Sequence, residues 1–351
     1  MRATALLLRI ENPTANGFAR FEAHLVDESD TVIEGPHGQV SARLYSPRGA
    51  ANPPGLVILH GIHHLGMDEP RLVRFSRAFA SEGIEVLTPA LQSLADYRVD
   101  EDDVAVTGAA AHALSQKRGT RVGALGLSFA GGLALLAAAD PKFSEDVGFV
   151  VAIGAHDDLT RVCRYLATGR TPRPDGTIEA LPPHEYGMLV LVYSHVDEFF
   201  SSADVPHARE VLRLQLWEQP DAAKPQLTRL SPAGRRRMER LLEHRQDVWL
   251  PDLLAMISHH GADMDRLSPH GHLSALRVPV FLLHGSDDSV IPASESLWLA
   301  REVPAPYLRE VLVSPLLTHV EVASKPSLRD QAALIHFVAE ILREGERLRP
   351  D

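Results

Sequence analysis

The sequence predicts an α/β fold, a mostly parallel central sheet with helices on both faces, and three observations predict it. Short apolar runs alternate with segments of helical spacing, the rhythm of strands joined by helical crossovers. The runs at 55–61 and 278–285 are apolar without alternation, which suits strands buried on both faces. At 122–139 an apolar run reaches Gly126-Leu127-Ser128-Phe129-Ala130-Gly131-Gly132 and continues into an Ala/Leu segment without a polar break. A strand there passes through a sharp turn into a helix, with a serine at the bend.

Residues 18–46 alternate around Gly35-Pro36-His37-Gly38 and read as an antiparallel hairpin at a sheet edge. A Pro/Gly-rich loop leads into the strand at 55–61. Asp68-Glu69-Pro70 then opens a helix through Leu72, Val73, Phe75 and Phe79 that stops at Gly83. A strand at 84–88 precedes a helix over 101–118, with three acids at its start, Lys117 and Arg118 at its end and Gly119 as its stop. That charge order complements the helix dipole. The strand at 121–127 and its helix end at Asp140-Pro141, and 149–154 makes a further strand.

The rhythm then changes. Helical spacing at 205–217 and 232–250, with a strand only at 188–193, makes 157–275 a mostly helical insertion between core segments 1–156 and 276–351. Sheet rhythm resumes with the strand at 278–285, a helix near 293–302, a strand at 310–313 and a last helix over 326–343. Ser327 and Asp330 stand at the cap of that helix, and Leu328, Ala332, Ile335, Val338 and Leu342 line one face.

Composition bounds the function. The chain of 351 residues is 45% hydrophobic and 23% charged, enough for one large core. A net charge of −11, from 35 basic and 46 acidic residues, disfavours a phosphate backbone or an anionic membrane as the main partner. The single cysteine, Cys163, excludes an internal disulfide and a cysteine-built zinc site, and fits a reducing compartment, so the expected location is cytoplasmic. The apolar run at 3–8 is too short for a signal segment, and no stretch reaches the roughly 18 apolar residues of a membrane span. The expected partner is a small molecule, with no nucleic acid and no membrane span; the oligomeric state stays open.

The bend at Ser128 is where chemistry is expected. Such a turn holds its serine in a strained conformation, so both flanks must be small, and the helix that follows aims free N–H groups and its positive end at the reacting centre. One flank is Gly126; the other is Ala130, the smallest substitute for glycine. Alone, the pattern also fits a Gly-rich helix start packed on a sheet.

Two later stretches answer it. His284-Gly285-Ser286-Asp287-Asp288-Ser289-Val290-Ile291-Pro292 resembles the His-Gly-x-x-Asp-x-x-Val-Pro loop of α/β-hydrolases, which carries the catalytic acid. Counted from His284 or from Pro292, that acid falls on Asp288. Val313-Ser314-Pro315-Leu316-Leu317-Thr318-His319 resembles the loop that delivers the catalytic histidine, and His60-Gly61-Ile62 resembles the turn that supplies an oxyanion-hole N–H. The order Ser128, Asp288, His319 is that of the superfamily. The resemblance covers 30–156 and 276–343. It implies the α/β-hydrolase fold with a helical cap inserted after the sixth strand.

It also implies a mechanism. His319 would take the Ser128 proton, Asp288 would hold the imidazole in its useful tautomer, and the N–H groups of Ile62 and Phe129 would meet the oxyanion. Hydrolysis of a carboxylic ester or related acyl bond follows, with no metal and no organic cofactor required. Acyl transfer from the same acyl-enzyme, or a catalytically silent binding protein on the same fold, are the alternatives.

Other residues compete for these roles. Asp287, Asp157 and Asp158 sit at strand ends on the same sheet edge as Asp288, and some superfamily members carry the acid after the sixth strand. His60, His63, His64 and Asp68 can converge with His156, Asp157 and Asp158 into a metal site, but their spacing matches no metal motif. Arg235, Arg236, Arg237, Arg240 and Arg245 read as a solvated helix face. His259-His260 and His270-Gly271-His272 read as connector from insertion to core.

Overall fold

Eight strands build the main sheet: β1 (Val26–Gly35), β2 (Gly38–Pro47), β3 (Gly55–Leu59), β4 (Glu85–Pro89), β5 (Val122–Leu127), β6 (Val147–Ile153), β9 (Val280–Gly285) and β10 (Leu308–Ser314). The pair β7 (Arg170–Pro172) and β8 (Ile178–Ala180) stands apart from it. The computed structural model describes residues 1–11, 23–317 and 327–350. Contacts divide the chain into two compact units, Met1–Asp157 with Leu267–Asp351, and Asp158–Arg266.

The strand order is β1-β2-β4-β3-β5-β6-β9-β10. β1 and β2 form the edge hairpin and β2 meets β4 antiparallel; every later pairing is parallel. The carboxyl ends of β3, β5, β6, β9 and β10 therefore share one edge, where open parallel sheets place their ligands. β3 is buried along its whole length, as its unbroken apolar run requires, and β4 is buried throughout although it carries Glu85 and Thr88.

Helices cover both faces of this sheet. Arg2–Glu11, Pro70–Ser81 and Leu328–Arg347 share a core with Leu56, Ile58, Leu125 and Phe149. Alternation along the strand turns Val57 and Leu59 the other way, to the side of Glu101–Arg118 and Phe129–Ala139. The caps are those read from the sequence. Glu69 accepts the Leu72 N–H at 2.8 Å with Pro70 at the first helical position, and Gly119 closes its helix at φ +69°. Ser327 Oγ accepts the Asp330 N–H at 3.1 Å and donates to its carboxylate at 2.6 Å.

Two expectations need correction, and one helix was not expected. The apolar run at 3–8 is one face of helix Arg2–Glu11, which buries Leu6 and pairs Arg9 with the buried Glu82. Residues 188–193 are not a strand: they lie in helix Glu185–Ser194, capped by the His184 side chain, because an all-apolar run has no period of its own to choose between helix and strand. The single helix expected over 232–250 is two, Pro232–Leu242 and Gln246–His259, separated where His244 turns to φ 54°. No described helix is long and apolar enough to cross a membrane.

Candidate active site

Ser128 sits between β5 and helix Phe129–Ala139 at φ 57°, ψ −133°, a region that costs a non-glycine residue about 1–3 kcal/mol. Two bonds hold it there. Its N–H donates to the Ile153 carbonyl at 2.7 Å, and its own carbonyl accepts from the Gly131 N–H at 2.9 Å. The small neighbours are needed for space. A Cβ on Gly126 would lie 2.2 Å from the Ala130 carbonyl oxygen, and one on Gly132 would lie 2.3 Å from the His156 ring. Ala130, in place of a glycine, is fully buried without displacing the turn. Phe129 opens the helix, so its amide belongs to the unsatisfied positive end.

The turn after β3 lies against this bend. A Cβ on Gly61 would be 3.2 Å from Ser128 Cβ and 3.4 Å from the Leu127 carbonyl. His60 shapes that turn: its Nε2 accepts the Leu91 N–H at 3.0 Å, which leaves Nδ1 to donate to the Gly61 carbonyl at 2.8 Å. Burial pushes the His60 imidazole down to about 4, so the neutral tautomer these bonds require is the stable one. Ile62 follows, half-buried. His63 and His64 stack at 4.6 Å, and the hydroxyl of Tyr97, itself at φ 57°, lies 3.5 Å from His64 Nδ1.

Asp288 is 3% exposed, whereas Asp287 is open to solvent. Oδ1 of Asp288 accepts the N–H groups of Val290 at 2.9 Å and Ile291 at 3.0 Å, and Oδ2 lies 3.5 Å from where a Cβ on Gly154 would stand. Gly154, at φ +64°, donates its N–H to the Leu283 carbonyl at 2.8 Å. Ser128, Gly154 and Asp288 are thus linked across the ends of β5, β6 and β9. Gly154 is the member the sequence reading passed over, though a glycine ending an apolar run is a signal for such a turn. His284 is fully buried and holds the Asp288 loop through Ile291 O at 2.8 Å and Ser296 Oγ at 2.6 Å.

The competing acids are engaged elsewhere. The Asp157 N–H donates to Glu295 Oε2 at 2.9 Å, its carbonyl accepts from the His270 N–H at 2.9 Å, and its Oδ2 lies 3.5 Å from His270 Nδ1. Asp158 caps helix Leu159–Thr168 through the Arg161 N–H at 3.0 Å. Groups weighed as metal ligands also have protein partners. His156 Nε2 meets the Leu267 carbonyl at 2.9 Å, and Asp68 pairs with Arg43 at 2.8 Å. Cys163 is buried and its thiol is pushed up to about 12 by that burial, so it stays protonated and inert.

Beyond β10, Leu317 brings its carbonyl against Gly285, where a Cβ would come within 2.1 Å, and the Ser286 N–H donates to the Ser314 carbonyl at 3.0 Å. His319, the expected base, lies outside the described residues, as does the start expected for the last helix.

No family model matches the sequence, and no curated protein matches it. Solved structures do. An acylaminoacyl peptidase in complex with a chloromethyl ketone superposes with a TM-score of 0.53 at 12% identity, over 93% of this chain and 42% of that one. A Pyrobaculum calidifontis esterase gives 0.51 at 16% identity, over 99% and 91%. The Pyrococcus horikoshii acylaminoacyl peptidase gives 0.51 at 12% identity, over 95% and 43%. The chain spans about two-fifths of the length of the peptidases, between 42% and 43%. What it shares with these proteins at such identities is the architecture.

Proposed function

From the α/β-hydrolase fold of this chain, we propose that it is a serine hydrolase that cleaves a carboxylic ester or related acyl bond through an acyl-enzyme on Ser128. The observation that carries the reading is the conformation of Ser128, a strained positive φ at the end of a buried strand, bonded to β6 and followed by a helix N-terminus. Backbone strain of this kind clusters at active sites, where the surrounding structure holds it in place.

In this reading His319 takes the hydroxyl proton as Ser128 attacks the carbonyl, and returns it to the leaving group. Asp288 orients the imidazole; its burial and its two backbone hydrogen bonds give it the fixed position that role needs. The amides of Phe129 and Ile62 receive the oxyanion. The support for Ile62 is the contact of its neighbour Gly61 with Ser128. The inserted unit selects among acyl groups. It leaves the core at Asp157, four residues beyond the carbonyl that holds Ser128, and carries its own apolar core around Trp249.

A panel of p-nitrophenyl esters of increasing acyl length tests the reading. Turnover of at least one ester, lost in Ser128→Ala, supports it; turnover retained by a folded Ser128→Ala variant overturns it. Substitutions of apolar residues in the insertion that leave chain-length preference unchanged would remove the selecting role.

A further inference from the structure

A second group of chemically capable side chains lies wholly within the inserted unit. Glu198 stands on the short helix Val196–Phe199, His259 is the last residue of Gln246–His259, and His260 is the C-cap of that helix. The Glu198 carboxylate bridges the two imidazoles: Oε1 takes a short hydrogen bond from His260 Nε2, and Oε2 lies 3.6 Å from His259 Nδ1. One donor atom from each of the three residues lies within 4.8 Å of the others.

We propose that Glu198, His259 and His260 form a binding site for a divalent transition-metal ion of the zinc type. Two imidazoles and one carboxylate are a regular zinc donor set, and one that needs no cysteine. Metal–donor bonds of about 2.0–2.1 Å set tetrahedral donors about 3.4 Å apart, so the observed separations close by small side-chain rotations. The shell behind the donors fits as well. His260 Nδ1 faces Asp263 Oδ2 at 3.5 Å, the carboxylate partner that fixes a ligating imidazole, and the ring of His195 packs on His260 at 4.3 Å. His259 and His260 also stand at the negative end of a helix of 14 residues, which favours a cation there. The ion would tie two segments far apart in sequence and so stabilise the insertion.

The one other cluster of this kind among the described residues differs in a way that matters. Asp157 and Glu302 lie 3.5 and 3.0 Å from His270 Nδ1, and the set holds one imidazole and two carboxylates where the Glu198 cluster holds two imidazoles and one carboxylate, the more nitrogen-rich set that zinc favours. His270 therefore supplies the control.

The test is equilibrium dialysis of the chelator-treated full chain against zinc, with cobalt absorption as the geometric readout. The expected result is one tightly held ion per chain, with a tetrahedral cobalt spectrum. His259→Ala/His260→Ala and, separately, Glu198→Gln should weaken binding about tenfold or more while far-UV dichroism is unchanged, and His270→Ala should leave it intact. Absence of a stoichiometric ion overturns the proposal. So does undiminished binding by the folded Glu198→Gln and double variants, or loss of the ion in His270→Ala; Glu198→Gln stands as the deciding variant if the double one does not fold.

Discussion

The Ser128 N–H donates to the Ile153 carbonyl at 2.7 Å, so the bend that ends β5 is bonded across to the end of β6. One residue further on, Gly154 repeats the step and donates to Leu283 on β9 at 2.8 Å. Strand register, not loop packing, sets the position of the serine, and elements of this kind move least. Consequences follow for the residues that crowd the bend.

Gly126 and Gly61 should respond differently to the same added methyl group. Gly126→Ala drives a Cβ to 2.2 Å from backbone and should cost about 1–3 kcal/mol of stability, read by urea unfolding. Gly61→Ala meets Ser128 Cβ at 3.2 Å, a contact that a small shift relieves. It should stay folded yet lose about 100-fold in turnover, because the shift falls on the reacting centre. Equal stability losses with unchanged turnover in Gly61→Ala would contradict this.

Among the acids, only Asp288 should govern turnover. Asp288→Asn should lower kcat by about four orders of magnitude. The exposed Asp287→Asn should remain near wild type, and Asp157→Asn, which loosens the contact to His270, should show its effect in thermal unfolding. A near-normal Asp288→Asn alongside a collapsed Asp157→Asn would move the orienting role to the end of β6.

Acid stability should carry the mark of two buried groups with opposite signs. His60 titrates near 4 in the fold against 6.5 unfolded, so its contribution is present above about 6.5 and lost as pH falls toward 4. That difference corresponds to about 3 kcal/mol. Burial pushes Asp103 up from 3.8 to about 6, so its contribution is present below about 4 and lost as pH rises through 6. His60→Gln should flatten the rise in unfolding free energy between pH 4 and 6.5, and Asp103→Asn should steepen it. Urea titrations across that range check both, and unchanged slopes in both variants would show that neither group carries the linkage.

Much of this was legible in the sequence because it is written locally. Glycine and alanine around Ser128 announce a turn that admits nothing larger, and counting from His284 and Pro292 reaches the one buried acid of the loop. Caps such as Ser327 with Asp330 are patterns a few residues long. What stayed hidden depends on partners remote in the chain. No local feature of Gly154 states that it stands beside Asp288, since that follows from the register of β6 on β9. The run at 188–193 is apolar at every position and so has no period, and its neighbours in the insertion decided for a helix. His259 and His260 looked like connector because Glu198, which they meet, is about 60 positions away.

The central claim, that Ser128 is the covalent nucleophile, is tested most directly by locating a fluorophosphonate adduct. The protein is incubated with the probe, digested and mapped by mass spectrometry, with Ser128→Ala in parallel. The account predicts one adduct, on the peptide that contains Ser128, and none in the variant; an unlabelled wild-type protein, or an adduct on another residue with Ser128→Ala still active, would contradict it.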